Sequence, residues 1–154
     1  MKISELIDPR FVNLDLTAGS KEEAIEKLAQ IAKGHPNLVD FPAFNRAIHE
    51  RETVASTSIG NGVALPHART DQVKGLLLVV GRLKEGVRFN PTDEAPVKLL
   101  FLIGTQKKLV TEYLRVVDML ARHLRDNDFR RKLFEAPNAA ALLQAFVENE
   151  KALT

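Results

Sequence analysis

Two runs of five apolar residues, Leu76-Leu77-Leu78-Val79-Val80 and Leu99-Leu100-Phe101-Leu102-Ile103, constrain this chain more than any other feature. Successive side chains in a strand point to opposite faces. An unbroken apolar run therefore reads as a central strand covered on both sides. The segment between the runs, GRLKEGVRFNPTDEAPVK, is rich in Gly, Pro and charge and has no helical period. Without a crossover helix, the two strands belong to an antiparallel or mixed sheet rather than to a simple βαβ unit.

The covering layers must come from the rest of the chain. Phe11-Val12-Asn13-Leu14-Asp15-Leu16 alternates like a half-buried strand. Ser20 is placed to cap a helix with Glu22 and Glu23 in its first turn. Ala24, Ile25, Leu28, Ala29 and Ala32 share one face, and Gly34 and Pro36 end it. A second helix over about 42–52 carries Phe44, Ala47 and Ile48 on its apolar face, with Arg51 one turn further along that face. Two readings of Arg51 stand: a cation in the last turn with its long side chain reaching water, or a guanidinium aimed at an anion.

A long helix over 109–124 carries Leu109, Val110, Leu114, Val117, Leu120 and Leu124. A short helix follows over about 128–135. The last begins after Pro137-Asn138, with Ala140, Leu143, Phe146 and Val147 available for packing. Helices on both sides of a mostly buried mixed sheet make an α/β three-layer sandwich. The 154 residues suit a single domain, 1–154, with a substantial core.

Composition removes several function classes. With 45% hydrophobic and 27% charged residues and a net charge of +2, nothing calls for a nucleic-acid or membrane partner. The basic stretches Arg122-His123-Leu124-Arg125 and Arg130-Arg131-Lys132 are diluted by Asp126, Asp128 and Glu135, so they read as a solvated helical face. Cysteine is absent, which excludes disulfides, thiolate nucleophiles and Cys-ligated zinc. Charged residues interrupt the opening MKISELIDPR where a secretory leader needs an apolar stretch, and no run is long enough to span a bilayer. The cytoplasm is the expected compartment, with no membrane insertion.

The stretch from Ser56 to Thr70, STSIGNGVALPHART, carries one imidazole, His67. Gly60, Asn61 and Gly62 signal a turn whose exposed backbone amides can form an anion site. Ser56, Thr57 and Ser58 add hydroxyls, and Pro66 stiffens the chain before His67. An imidazole of pKa about 6.5 keeps a free lone pair near neutral pH, which suits nucleophilic attack on phosphorus. Amides, hydroxyls and an arginine fork could then hold the phosphoryl oxygens. Against this stands a histidine that only caps a strand end. His35, His49 and His123 show no zinc spacing with His67, so no metal or cofactor is expected.

Arg51-Glu52, Ser56-Thr57 and Ile59-Gly60-Asn61-Gly62-Val63-Ala64-Leu65-Pro66-His67 together closely resemble the signature of phosphotransferase-system enzyme IIA of the fructose/mannitol type, which includes nitrogen-regulatory proteins. The likeness extends over nearly the whole chain, through MKISELIDPRFVNLDL, SKEEAIEKLAQIA, Val87-Arg88-Phe89, Asp93, Pro96-Val97 and the long helix after Leu102-Ile103. It implies that His67 is a phosphoryl acceptor, with Arg51 beside it, and that a histidine phosphocarrier protein is the donor. A sugar-transporting member passes the group to a IIB component. The remaining outcomes are a regulatory carrier, a IIA component working with separate IIB and IIC chains, or a contact module of the same fold that does not transfer phosphate.

Two departures from the family pattern bear on that choice. Ser58 stands where glycine usually follows Ser-Thr, which restricts the backbone. Tyr113-Leu114 stands where phosphate-transferring members carry a second active-site histidine followed by leucine. His123, ten residues on, lies about 280° round the helix and cannot substitute on that face. Tyr113 either donates a hydrogen bond to a phosphoryl oxygen or packs over the pocket. With a pKa of about 10 it does not become cationic near neutral pH.

Overall fold

The computed structural model describes residues 1–153. Its two apolar runs lie in β5 (Leu76–Val87) and β6 (Val97–Thr105), an antiparallel pair that runs the length of both strands. Both strands extend beyond the apolar residues. Residues 88–96 alone connect them, and no helix intervenes.

Four further strands complete one mixed sheet: β1 (Ile7–Leu16), β2 (Ser58–Gly60), β3 (Val63–Ala64) and β4 (His67–Arg69). The order is β1-β5-β6-β3-β2, with β4 also paired to β6. β1 begins four residues before the alternating stretch that marks it in the sequence, because Pro9 obscures its start. Proline is tolerated there, since β1 is an edge strand.

The pleat divides the core in two. Leu78, Val80, Leu99, Phe101 and Ile103 face one side, under α1 (Ile3–Leu6), α4 (Val110–Leu124), α5 (Asn127–Glu135) and α6 (Ala139–Leu153). Leu77, Val79, Leu83, Leu100 and Leu102 face the other, under α2 (Lys21–Ile31) and α3 (Phe41–Val54). This is the three-layer α/β sandwich expected of two fully apolar strands. Leu99, Leu100, Phe101 and Leu102 are completely buried. Each such side chain contributes about 1.5–3 kcal/mol relative to exposure.

Local signals explain the helix ends. Ser20 accepts from the Glu23 amide, Asp40 from Ala43 and Asn138 from Ala141, each closing the first turn of a helix. The buried face of α2 is the one expected from its spacing. Two other faces differ. On α4, Val116, Leu120, His123 and Leu124 are buried, whereas Leu114 is 58% exposed. The true stripe passes through Tyr113 and His123, which an apolar count leaves out. The basic stretch around His123 is therefore not wholly solvated. On α6, Leu142, Ala145 and Phe146 are buried while Ala140 is exposed, a face turned by one residue from the expected one. No described helix is long and apolar enough to cross a membrane.

Candidate functional site

β3 and β4 lie in one line along β6. Val63 pairs with Leu99, Ala64 with Leu100, and His67 with Ile103. Leu65 and Pro66 break the line, and the ladder resumes when Ile103 N–H donates to the Pro66 carbonyl at 3.0 Å. His67 thus starts a short strand at the sheet margin. Its Nδ1 lies 3.0 Å from the Leu65 carbonyl, an oxygen that can only accept. We therefore assign the ring proton to Nδ1, which leaves the lone pair on Nε2. Burial pushes the imidazole below its ordinary pKa. The Leu65 carbonyl and Glu52 oppose that shift, and Arg51 and Arg69 add to it. The ring is neutral at pH 7.

Two helices bring the neighbours of His67. α3 packs on β4 across small residues, Ala68 and Gly104. A Cβ at Gly104 would stand 3.0 Å from Phe44 Cε1 and 2.9 Å from Leu77 Cγ, so glycine permits the approach. This carries Arg51, in the last turn of α3, to the cleft. There one guanidinium nitrogen donates to the Ala55 carbonyl at 2.9 Å. Both sequence readings of Arg51 describe it in part: it occupies the last turn and it lines the cleft. From the opposite face, the first turns of α4 place Tyr113 with its ring centroid 5.2 Å from that of His67. Burial raises the Tyr113 pKa, against a downward pull from Arg51 and Arg69.

Arg51, His67, Arg69 and Tyr113 line a cleft of about 490 Å³ together with Glu50, Val54 and neighbouring alanines. A second depression next to it is lined by Ser56, Thr57 and Ser58 as well as Arg51, His67 and Tyr113. The hydroxyls there are already engaged. Thr57 donates its amide and hydroxyl to the Glu52 carboxylate at 2.9 and 2.6 Å. Ser58 donates its hydroxyl to Asp93 at 2.9 Å. Gly60 and Gly62 do not line either depression. With Asn61 they form the turn between β2 and β3, at φ of 85°, 58° and 79°. The Gly62 carbonyl accepts from the amides of Lys98 and Leu99. Their positive φ values explain the glycines without an anion.

Two residues given no role from sequence belong to this assembly. Glu52 is buried, bridges to Lys21 at 2.9 Å and anchors the loop through Thr57. Arg69 shares the exposed-facing side of β4 with His67 while Ala68 points into the core. The i, i+2 spacing of a strand is the signal that finds Arg69. Nothing in the local sequence finds the Glu52–Thr57 contact. Among the described residues no cluster of three or more His, Cys, Asp or Glu could hold a metal ion.

A neutral imidazole that shares a cleft with two arginines can attack phosphorus, and the arginines can neutralise the transferred charge. Residues 5–149 match the family model described as "Phosphoenolpyruvate-dependent sugar phosphotransferase system, EIIA 2". The chain belongs to this EIIA type 2 family. It is 30% identical over 151 residues to the fructose-specific EIIABC component of Bacillus subtilis, covering 98% of this chain and 24% of that protein. It is 33% identical over 146 residues to the fructose-specific EIIA component of Haloferax volcanii, covering 95% of each. Among solved structures, the nitrogen regulatory protein IIA-Ntr from Neisseria meningitidis superposes with a TM-score of 0.85 at 26% identity, covering 94% of this chain and 98% of that one.

In this EIIA-type chain both departures from the family pattern have a defined place. Ser58 avoids the left-handed backbone region, which this loop reserves for Gly60, Asn61 and Gly62. Tyr113 stands directly against His67 as a neutral group.

Proposed function

We propose that this chain is a cytoplasmic phosphoryl carrier, residues 1–154 acting as one EIIA unit, that accepts a phosphoryl group on His67 Nε2 from a histidine phosphocarrier protein. One observation carries the reading: His67 Nδ1 lies 3.0 Å from the Leu65 carbonyl, which assigns the ring proton to Nδ1 and the lone pair to Nε2, in a ring that lines one cleft with Arg51. In the transfer, Nε2 forms the new P–N bond as the donor's P–N bond breaks, and the donor imidazole leaves neutral. Nδ1 keeps its proton, so the product ring is cationic, and its P–N bond is readily broken in onward transfer. Arg51 holds phosphoryl oxygens with its guanidinium fork.

The outlet is a set of partners regulated by phosphorylation state, or a separate IIB component. The name of the Neisseria relative supports the first, and those of the two fructose-specific relatives support the second. Tyr113, in ring contact with His67, cannot become the cation that a second histidine supplies, so α4 brings no positive charge to the transfer. The same contact is the observation behind a second reading, a contact module that has lost transfer.

Intact mass after incubation with enzyme I, the histidine phosphocarrier protein and phosphoenolpyruvate separates these readings. A carrier gains one acid-labile phosphoryl group that His67→Ala lacks. A contact module gains none with its cognate donors, and His67→Ala keeps its partner binding.

A further inference from the structure

The sequence motif ends at His67, but the cleft does not. Two residues on, Arg69 projects from the same face of β4 and lines the same 490 Å³ space as Arg51 and Tyr113. Arg51 is partly drawn back, since its guanidinium donates to the Ala55 carbonyl. Arg69 has no ion pair or side-chain hydrogen bond among the described residues, and Glu50 is the one carboxylate lining the cleft. The field of Arg69 reaches both the His67 and Tyr113 rings.

A phosphoryl group brings about −1.5 to −2 charges into this space. Arg51 supplies one positive charge, and Tyr113 supplies none. We propose that Arg69 is a second phosphoryl-binding cation of this site, giving from strand β4 the charge that α4 cannot give through Tyr113. The inference rests on His67 being the phosphoryl acceptor. Arg69 stands exposed at the cleft rim, where its long side chain can close on a phosphoryl oxygen once the group is in place.

A rim arginine could instead touch the donor protein, so the test uses a donor with no protein surface. With phosphoramidate, His67 Nε2 attacks phosphorus and the P–N bond of the reagent breaks. Ammonia leaves with the protons its nitrogen already carries, while Nδ1 retains its own. Uptake is followed by intact mass on the full chain for wild type, R69A, R69K and R69A/Y113H. The expected result is uptake about tenfold slower in R69A, with most of the rate kept in R69K. R69A/Y113H recovers at least about threefold near pH 6, where a new histidine is partly cationic.

R69A within about twofold of wild type overturns the proposal. So does a loss seen only with the protein donor, which assigns Arg69 to docking, or an R69A/Y113H variant that recovers nothing. No uptake by wild type from either phosphoramidate or the protein donors removes His67 as acceptor and this inference with it. Equal uptake by wild type and R69A removes only the role of Arg69. Circular dichroism of R69A, a substitution at an exposed position, confirms that the fold is kept.

Discussion

His67 and His123 lie near opposite ends of α4, and burial holds both imidazoles below the ordinary histidine range. There the likeness ends. His123 is 3% exposed, packed among the rings of Phe129 and Phe146. The Asn149 amide nitrogen stands 2.7 Å from its Nδ1 and donates to it, so the ring proton sits on Nε2, 3.9 Å from Glu150. His67 carries the opposite tautomer and faces a cleft with two guanidinium groups. Burial alone makes an imidazole neutral. The partner on Nδ1 and the open side of the ring decide whether the neutral ring is a nucleophile or a core residue.

The largest contrast should come from truncating each ring. His67→Ala removes phosphoryl uptake entirely and shifts folding stability by less than about 1 kcal/mol, since the ring is partly exposed at the cleft. His123→Ala should cost about 2–4 kcal/mol in urea unfolding, because it leaves a cavity between two phenylalanines and strands Asn149. At a temperature where it remains folded, it takes up phosphate at the wild-type rate. Loss of uptake in folded His123→Ala would break the comparison.

The second contrast is between arginines. Arg51→Ala should slow uptake about 10²–10³-fold, the usual cost of removing a group that faces developing charge in a cleft. Arg122→Ala removes a solvent-exposed partner of Asp118, 3.0 Å away on the same helix. It should change stability by no more than about 0.5 kcal/mol and leave uptake kinetics unchanged.

The smallest effect is on pH. A buried histidine with a lowered pKa binds its proton less readily than the unfolded chain does, whose imidazoles titrate near about 6.5. Stability is therefore full above that value and declines as pH falls from 6.5 toward the lowered pKa of the fold. Urea midpoints at pH 7.5 and 5.5 should show this decline, with a shallower slope in His123→Phe. His67 uptake should hold from pH 8 to below 6.5, then fall as Nε2 becomes protonated. A decline beginning above pH 6.5 would contradict the neutral assignment.

Much of the frame is legible residue by residue. Unbroken apolar runs can only be satisfied by a sheet covered on both faces, and Ser20 and Gly34 bound α2 because caps act within a turn. Arg51 stands out in the sequence, since a cation one turn along an apolar face is out of place. Tyr113 and His123 do not count as apolar, yet both lie on the packed stripe of α4, because their polar atoms hide how much ring surface they bury. Thr57 and Ser58 read as available hydroxyls because their acceptors, Glu52 and Asp93, are found only in space.

The buried mixed sheet, the helix starts, and a lone histidine behind a glycine turn and a proline are written in the order of the residues. Each of these follows from periodicity or from contacts within a few residues. Packing between distant elements puts Tyr113 against His67, Arg69 with Arg51 in one cleft, and the Thr57 hydroxyl on Glu52. Those relations depend on how α3 and α4 close on the margin of β4 from opposite faces, which the packing of the whole sheet fixes.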